Sequence, residues 1–303
     1  MEAKQPALSR TLQRHENISG YLFMLPSLFF FLVFVIYPMI MCIYTSFFDA
    51  NMGKNTVDTF ILFDNYKELF RDPVFLRSLK NTCIIVLVSV PAVCAFSLWI
   101  ASVIYDMKAG LTSAFRCIFY LPVVTGSVAV TVVWKWMYNN YYGIFNYLAK
   151  DVFGIIEKNV NWLGNPNTAL WCIILILFTT SVGQPIVLYV SALGNVDKSL
   201  VEAAAVDGAN RRQIFWKIKW KQIMPTTLYI LIITTINSFQ CFALIQLLTS
   251  GGPNHATDTV MYYIYYTAFK LNRYGYGNAM GVVLMIIIAA LSAVQYKLGQ
   301  DKN

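Results

Sequence analysis

Charge is what this sequence has least of. Asp, Glu, Lys and Arg make up 13% of its 303 residues, whereas a water-soluble domain carries about a quarter. Hydrophobic residues make up 57% and the mean hydropathy is +0.55, values that call for lipid as the solvent. Disorder, collagen-like repeats and a secreted disulfide scaffold are excluded by the same numbers. Histidine is nearly absent: His15 and His255 stand alone, so neither a metal site nor a catalytic triad is expected. There is no phosphate-cradling GxxxxGK[ST] loop, since Gly53-Lys54 lacks the upstream glycine, and no HExxH. The chain is therefore not expected to be an enzyme, and neither catalytic nor metal-binding residues nor a cofactor are assigned. The six cysteines lie in or beside apolar runs without CxxC spacing, which predicts small buried hydrophobes.

What the sequence does have is long apolar runs. A helix needs about 20 apolar residues to cross the roughly 30 Å hydrocarbon core. Six stretches qualify, over 21–47, 81–105, 117–138, 168–193, 224–248 and 276–296. Without water, such runs must close their hydrogen bonds internally, and no period-2 alternation points to a barrel. The fold class is all-α, a polytopic membrane protein with six transmembrane helices. The first run is 28 uncharged residues from Tyr21 to Phe48, too long for a signal-peptide core. Prolines at 26, 38, 91, 122 and 185 predict kinks.

The net charge of +8 is explained by lipid. Excess Lys and Arg accompany cytoplasmic loops beside anionic membrane, and no basic stripe interleaved with aromatics predicts nucleic acid. With the N-terminus inside, 13 of the 23 Lys and Arg fall in the inner segments 1–20, 106–116, 194–223 and 297–303. This places both termini in the cytoplasm of a multi-pass protein of the cell membrane. The expected layout is a cytoplasmic tail (1–20), a first span (21–47), an extracytoplasmic loop (48–76), a five-helix core (77–296) with an inner loop at 194–223, and a second cytoplasmic tail (297–303). In the outer loop, Lys67, Arg71, Arg77 and Lys80 alternate with Asp64, Glu68 and Asp72, a pattern that predicts a short surface helix.

Within the six runs the only ionisable group other than Tyr and Cys is Lys135, near one end. Ion-coupled carriers need such groups at depth, so the work must come from elsewhere or the protein must be passive. Polar amides do occur there. Thr234, Asn237 and Gln240 recur at i, i+3 and i+6, and Gln184 precedes Pro185. They either glue helices together or line a hydrated path, in which case Gln184, Asn237 and Gln240 are the substrate-path candidates. The lack of a cation at depth weighs against an anionic cargo. A neutral, polyhydroxylated solute fits better.

The inner loop 194–223 is the most informative segment. Asp197 is placed to cap a helix starting at Lys198 or Ser199, alanines favour its continuation, and Gly208 fits the left-handed position beyond its end. A second helix from Asn210 carries Arg211, Arg212, Lys217, Lys219 and Lys221. A helix lying on anionic lipid accounts for the cations but not for Glu202 and Asp207. A knob that docks a soluble partner accounts for both.

Glu202-Ala203-Ala204, then Gly208 and Ile218, in the context EAAAVDGA, closely resembles the EAA loop of permease subunits of binding-protein-dependent ABC importers. FRCIFYLP (115–122), VWKWMY (133–138) and LTSGGP (248–253) resemble the carbohydrate-uptake branch, the maltose-type sugar permeases, over about residues 20–296. The resemblance implies the type I ABC importer permease fold. It also implies ATPase-coupling roles for Glu202, Ala203, Ala204, Asp207 and Gly208, which would sit in a cleft of a cytoplasmic ATPase dimer. The further partners implied are a second homologous permease subunit, an extracytoplasmic solute-binding protein and a sugar-like small molecule. One departure stands out: where the family has Ile-x-Leu-Pro, this chain has Ile218-Lys219-Trp220-Lys221 and keeps only Pro225. The second helix is then free to run on to Met224, with Pro225 as the break into the fifth span. The readings from other classes are a passive six-helix channel or self-sufficient carrier for a neutral polar solute, and a membrane anchor whose basic loop recruits a soluble protein.

Overall fold

The computed structural model describes residues 7–51 and 59–300. Helix α1 (Ala7–Phe31) passes through a wide π turn, Leu32–Ile36, into α2 (Tyr37–Thr45). The turn ends just before Pro38, which has no N–H to return to the preceding turn. A two-residue hairpin follows, β1 (Phe48–Asp49) antiparallel to β2 (Thr59–Phe60), with Phe48 opposite Phe60. The short helix α3 spans Asp64–Leu69 and the long helix α4 spans Pro73–Tyr105. Arg77 and Lys80, expected on a surface helix, thus belong to α4. The reason is the cap: Asp72 accepts hydrogen bonds from the Val74 and Phe75 N–H groups at 2.8 and 3.3 Å, and Pro73 sits at the first helical position, where its missing N–H costs nothing.

Five stretches among the described residues are long and apolar enough to cross a membrane: Ser19–Thr45, Pro73–Tyr105, Ala169–Gly194, Arg211–Leu248 and Tyr274–Gly299. The remaining expected span is broken. It consists of α5 (Ala109–Val124) and α6 (Ser127–Met137), bent by 95°. Thr125 and Gly126 both take extended backbone, with ψ of 128° and 141°. A β-branched run ending on glycine, Val123-Val124-Thr125-Gly126, has low helix propensity, which hydropathy counting does not register.

The third stretch comprises α7 (Ala169–Ser181) and α8 (Gly183–Gly194). Then come α9 (Lys198–Val206) and α10 (Arg211–Ile214), the latter leading through a π turn, Phe215–Lys219, into α11 (Trp220–Phe239). The break expected at Pro225 does not occur, and the helix runs from Arg211 past that residue. Lys221 stands where the resembling family has proline, so an N–H is available where the ladder would otherwise lose one. Short α12 (Ala243–Leu248), α13 (Val260–Tyr265) and the long α14 (Tyr274–Gln300) complete the chain.

The main core lies where α4, α8 and α11 meet. It contains Val93, Ala101, Ile104, Ile186, Tyr189, Leu193, Ile223 and Ile230, all buried. Small hydroxyls let the helices approach: Ser97 Oγ donates to the Val182 carbonyl at 3.2 Å, and Ser89 and Ser238 hydroxyls lie 3.2 Å apart. All six cysteines are free. Cys172 and Cys241 are buried, but Cys117 is exposed on α5, so the buried-hydrophobe expectation fails there.

The hairpin end of the bundle is tied by polar contacts. Asp72 Oδ2 accepts the hydroxyls of Tyr263 (2.7 Å) and Tyr276 (2.8 Å), and Arg273 forms a two-pronged pair with Glu68 at 2.8 and 2.7 Å. Partial burial pushes the Asp72 carboxyl up, but the hydrogen bonds from Tyr263, Tyr276 and the two N–H groups outweigh it and hold the carboxyl below its usual value. A lowered folded value means that this contribution is complete above the unfolded carboxylate range and is lost as pH falls through the folded value. Asp72→Asn should therefore lower stability at neutral pH by about 1 kcal/mol and flatten the acid limb. Thermal unfolding of wild type and variant in detergent between neutral and acid pH checks this, and parallel curves would assign Asp72 no such role.

Candidate functional site

The elbow between α8 and α11 is built by local chemistry at every corner. Asp197 caps α9, accepting from the Ser199 N–H and hydroxyl, both at 2.8 Å. These two bonds hold its carboxyl below the usual value. The Asp197 N–H in turn donates to Gln222 Oε1 at 3.1 Å, fastening the start of the elbow to α11. At its other end α9 closes as a Schellman turn: Gly208 N–H reaches the Ala205 carbonyl at 3.1 Å and Ala209 N–H the Ala204 carbonyl at 2.9 Å. That closure needs a left-handed residue, and Gly208 has φ +80°. Asn210 and Gln213 then form a reciprocal capping box, both bonds 2.9 Å.

The outer face of this elbow meets nothing among the described residues. No residue of α9 is buried. Val201 is the residue through which α9 packs on the core, beside Phe215 and Trp220. Glu202, Ala203, Asp207 and Gly208 are exposed, Ala204 is half-buried, and Val206 is 88% exposed. Neither Glu202 nor Asp207 takes a side-chain hydrogen bond or ion pair among the described residues. An added Cβ on Gly208 would meet no atom within 4 Å. The five sequence-predicted elbow residues are thus brought together as one small-surfaced, acid-edged tip that a partner backbone can approach closely.

The amides fall on a different surface. A cavity of about 160 Å³ lies between the end of α5, the α7–α8 junction and α11, lined by Val123, Thr180, Gln184, Ile233, Thr234 and Asn237 among others. Gln184 and Asn237 are both exposed, and neither side chain bonds to another helix among the described residues. Gln240 is not part of this cavity. It caps the end of α11, exposed, one turn beyond Asn237.

The cavity exists because α8 crosses α5 closely at Gly183, a residue the sequence reading passed over. A Cβ there would lie 2.3 Å from the Phe119 carbonyl oxygen and 2.9 Å from Val123 Cγ2. A second cavity, about 650 Å³, adjoins the first and shares Gln184 and Leu188 with it. It extends along α5 past Tyr120 to Cys117 and Arg116. Arg116, on the wall of the second cavity, is half-buried. Counting apolar runs started the span at residue 117, whereas the helix begins at Ala109, which carries Arg116 seven residues into it.

The family model described as "Binding-protein-dependent transport system inner membrane component" matches residues 70–301. The "Probable ABC transporter permease protein YesP" of Bacillus subtilis is 34% identical over 288 residues, covering 94% of this chain and 91% of the relative. The "Multiple sugar-binding transport system permease protein MsmF" of Streptococcus mutans is 31% identical over 281 residues, 93% and 95% of the two chains. Among solved structures, a chain of a bacterial ABC transporter involved in the import of the acidic polysaccharide alginate superposes with a TM-score of 0.79 at 23% identity, covering 98% of this chain and 99% of that one. At that identity the likeness concerns the fold.

Proposed function

Because this chain belongs to the family of binding-protein-dependent transport system inner membrane components, a membrane-embedded permease subunit of an ABC importer and not an enzyme, we propose that it passes a sugar or related polyhydroxylated solute and is driven through the α9 elbow. The sugar-binding system named for one relative supports the solute class. The observation that carries the coupling role is the unpartnered tip from Glu202 to Gly208, held rigid by the Asp197 cap and the Schellman closure.

In this reading both termini and the elbow face the cytoplasm, where a dimer of ATPase subunits seats the tip in a cleft. Closure of that dimer on ATP pushes α9. The push reaches the bundle through Asp197 and Gln222 and through the Val201 contact with Phe215 and Trp220, so α8 and α11 move together. A second, homologous permease subunit covers the exposed faces of Gln184 and Asn237, and an extracytoplasmic binding protein delivers the solute. Alternating access then amounts to rocking of two rigid bodies about a central site. Gln184, Asn237 and, one turn further, Gln240 line the solute's route.

Loss of one hydrogen bond to a solute weakens binding by about 0.5–1.5 kcal/mol. Gln184→Leu and Asn237→Leu should each slow ATP-driven uptake by about 2- to 10-fold with unchanged recovery of the assembled complex, and Gln240→Leu should do so less. Wild-type rates in all three would assign these amides to packing against the second permease. Uptake that proceeds in membranes lacking every ATPase subunit would favour the self-sufficient carrier instead.

A further inference from the structure

We infer that the cavity between the elbow and the bundle holds the headgroup of an anionic membrane phospholipid, one whose phosphate carries the only charge, as in phosphatidylglycerol. This goes beyond the transport reading and does not depend on an ATPase docking at the tip. The cavity encloses about 470 Å³, with Ser102, Tyr105 and Asp106 at the end of α4 and Arg211, Phe215 and Lys219 around the π turn among its walls. The apolar runs fix its level in the membrane. The uncharged runs 81–105 and 168–193 end at Tyr105 and Leu193, both on its wall, and the run 224–248 begins five residues after Lys219. Three such runs meeting at one cavity mark the boundary between hydrocarbon and water. Tryptophan side chains favour that boundary. Trp99 and Trp216, each three residues from a lining residue (Ser102 and Lys219), are 60% and 52% exposed.

The two cations are not used up by the fold. Neither Arg211 nor Lys219 joins an ion pair or a side-chain hydrogen bond among the described residues. The Lys219 ammonium lies over the Tyr105 ring, 5.2 Å from its centroid, a contact that directs it toward α4 and leaves its hydrogen-bond donors open. Asp106 is the one acid on the wall, so the lining carries one positive charge in excess at neutral pH. A phosphodiester brings one negative charge and oxygens that match the arginine fork. Asp106 then accepts a hydroxyl of the headgroup, whereas the ammonium of a zwitterionic headgroup would cancel the charge that the phosphate brings. Leu193, Val201 and Ile214 offer apolar wall to the glycerol and the first acyl carbons. Basic pockets between membrane helices on the cytoplasmic side take such headgroups. The acids and the cations of the inner loop are thereby separated: Glu202 and Asp207 are exposed on the tip and do not line the cavity, whereas Arg211 and Lys219 do.

The test titrates the full chain, purified in a neutral detergent and stripped of native lipid, with dioleoyl phosphatidylglycerol, phosphatidylethanolamine and phosphatidylcholine, and counts bound lipid by native mass spectrometry. Wild type should bind phosphatidylglycerol about tenfold more tightly than either zwitterionic lipid. Arg211→Gln combined with Lys219→Gln should remove that preference, while Arg211→Lys should keep most of it and so report an intact fold. Arg212→Gln combined with Lys217→Gln removes the same charge outside the cavity and should keep at least half of the binding. The inference is overturned if the three lipids bind alike, or if the Arg212 and Lys217 pair loses as much as the Arg211 and Lys219 pair. Displacement of the lipid by an equal concentration of sn-glycerol 1-phosphate also overturns it, since the site would then take a soluble phosphate ester. A lipid preference that survives in the Arg211 and Lys219 variant does so too, and loss of ATPase co-purification in that variant would give the cations to the partner protein. No ATP, solute or ATPase enters the titration, so its failure leaves the transport reading to its own tests.

Discussion

Gly208→Trp should bring ATP-driven uptake to background while the chain still accumulates in the membrane. The left-handed backbone at this position, φ +80°, costs a side chain about 1–2 kcal/mol. Beyond that strain, the substitution meets no obstacle in the chain, since nothing lies within 4 Å of an added Cβ. A folding defect of that size does not remove a transporter. Steric exclusion of a partner from a tip whose neighbours are alanines does. Gly208→Asn separates the two effects, because asparagine accepts the left-handed conformation and adds little bulk; it should keep a measurable fraction of uptake. Co-purification with the ATPase subunit supplies the second readout. Retained association and uptake in Gly208→Trp would mean that the elbow does not dock.

Gly183→Val is expected to be the most damaging substitution for the bundle itself. Its Cβ would sit 2.3 Å from the backbone oxygen of Phe119, and backbone cannot rotate away as a flexible side chain can. Helices α5 and α8 would have to separate, at a cost of about 1–3 kcal/mol for overpacking. The same displacement moves Val123 and Gln184, which both line the first cavity. Both thermal stability in detergent and uptake should therefore fall, with Gly183→Ala intermediate. A Gly183→Val protein with unaltered melting and transport would show that the α5–α8 crossing does not depend on the absence of a side chain at Gly183.

How much of this was readable from residues alone varies by element. The elbow was almost fully legible, because each of its corners is a short-range hydrogen bond: Asp197 to Ser199, Gly208 to Ala205, Asn210 to Gln213. Cap and closure depend on residues within five positions of one another, and sequence carries that information directly. Span positions were legible for the same reason, since hydrophobicity needs no partner to be counted. The ends were less so. Arg116 was assigned to a loop because an apolar count stops at a charge, while a helix stops only where backbone hydrogen bonding does. The break at Thr125–Gly126 carries no proline and comes from a β-branched run ending on glycine, a weaker local signal than Pro225, through which the helix runs.

The cavity was not legible at all. Gln184 and Asn237 are 53 positions apart, and nothing in their spacing says that they face one groove while Gln240, on the same helix face as Asn237, lies outside it. Gly183 carries no local signal either, since its requirement comes from a carbonyl 64 residues earlier. The sequence by itself determined that this is a helical membrane protein with a capped, glycine-closed elbow at 197–210, because solvent preference and caps are properties of neighbouring residues. Only the tertiary structure decided where α5 crosses α8, and hence that Gln184 and Asn237 line one cavity. Close packing between distant segments depends on shapes that the linear order does not contain.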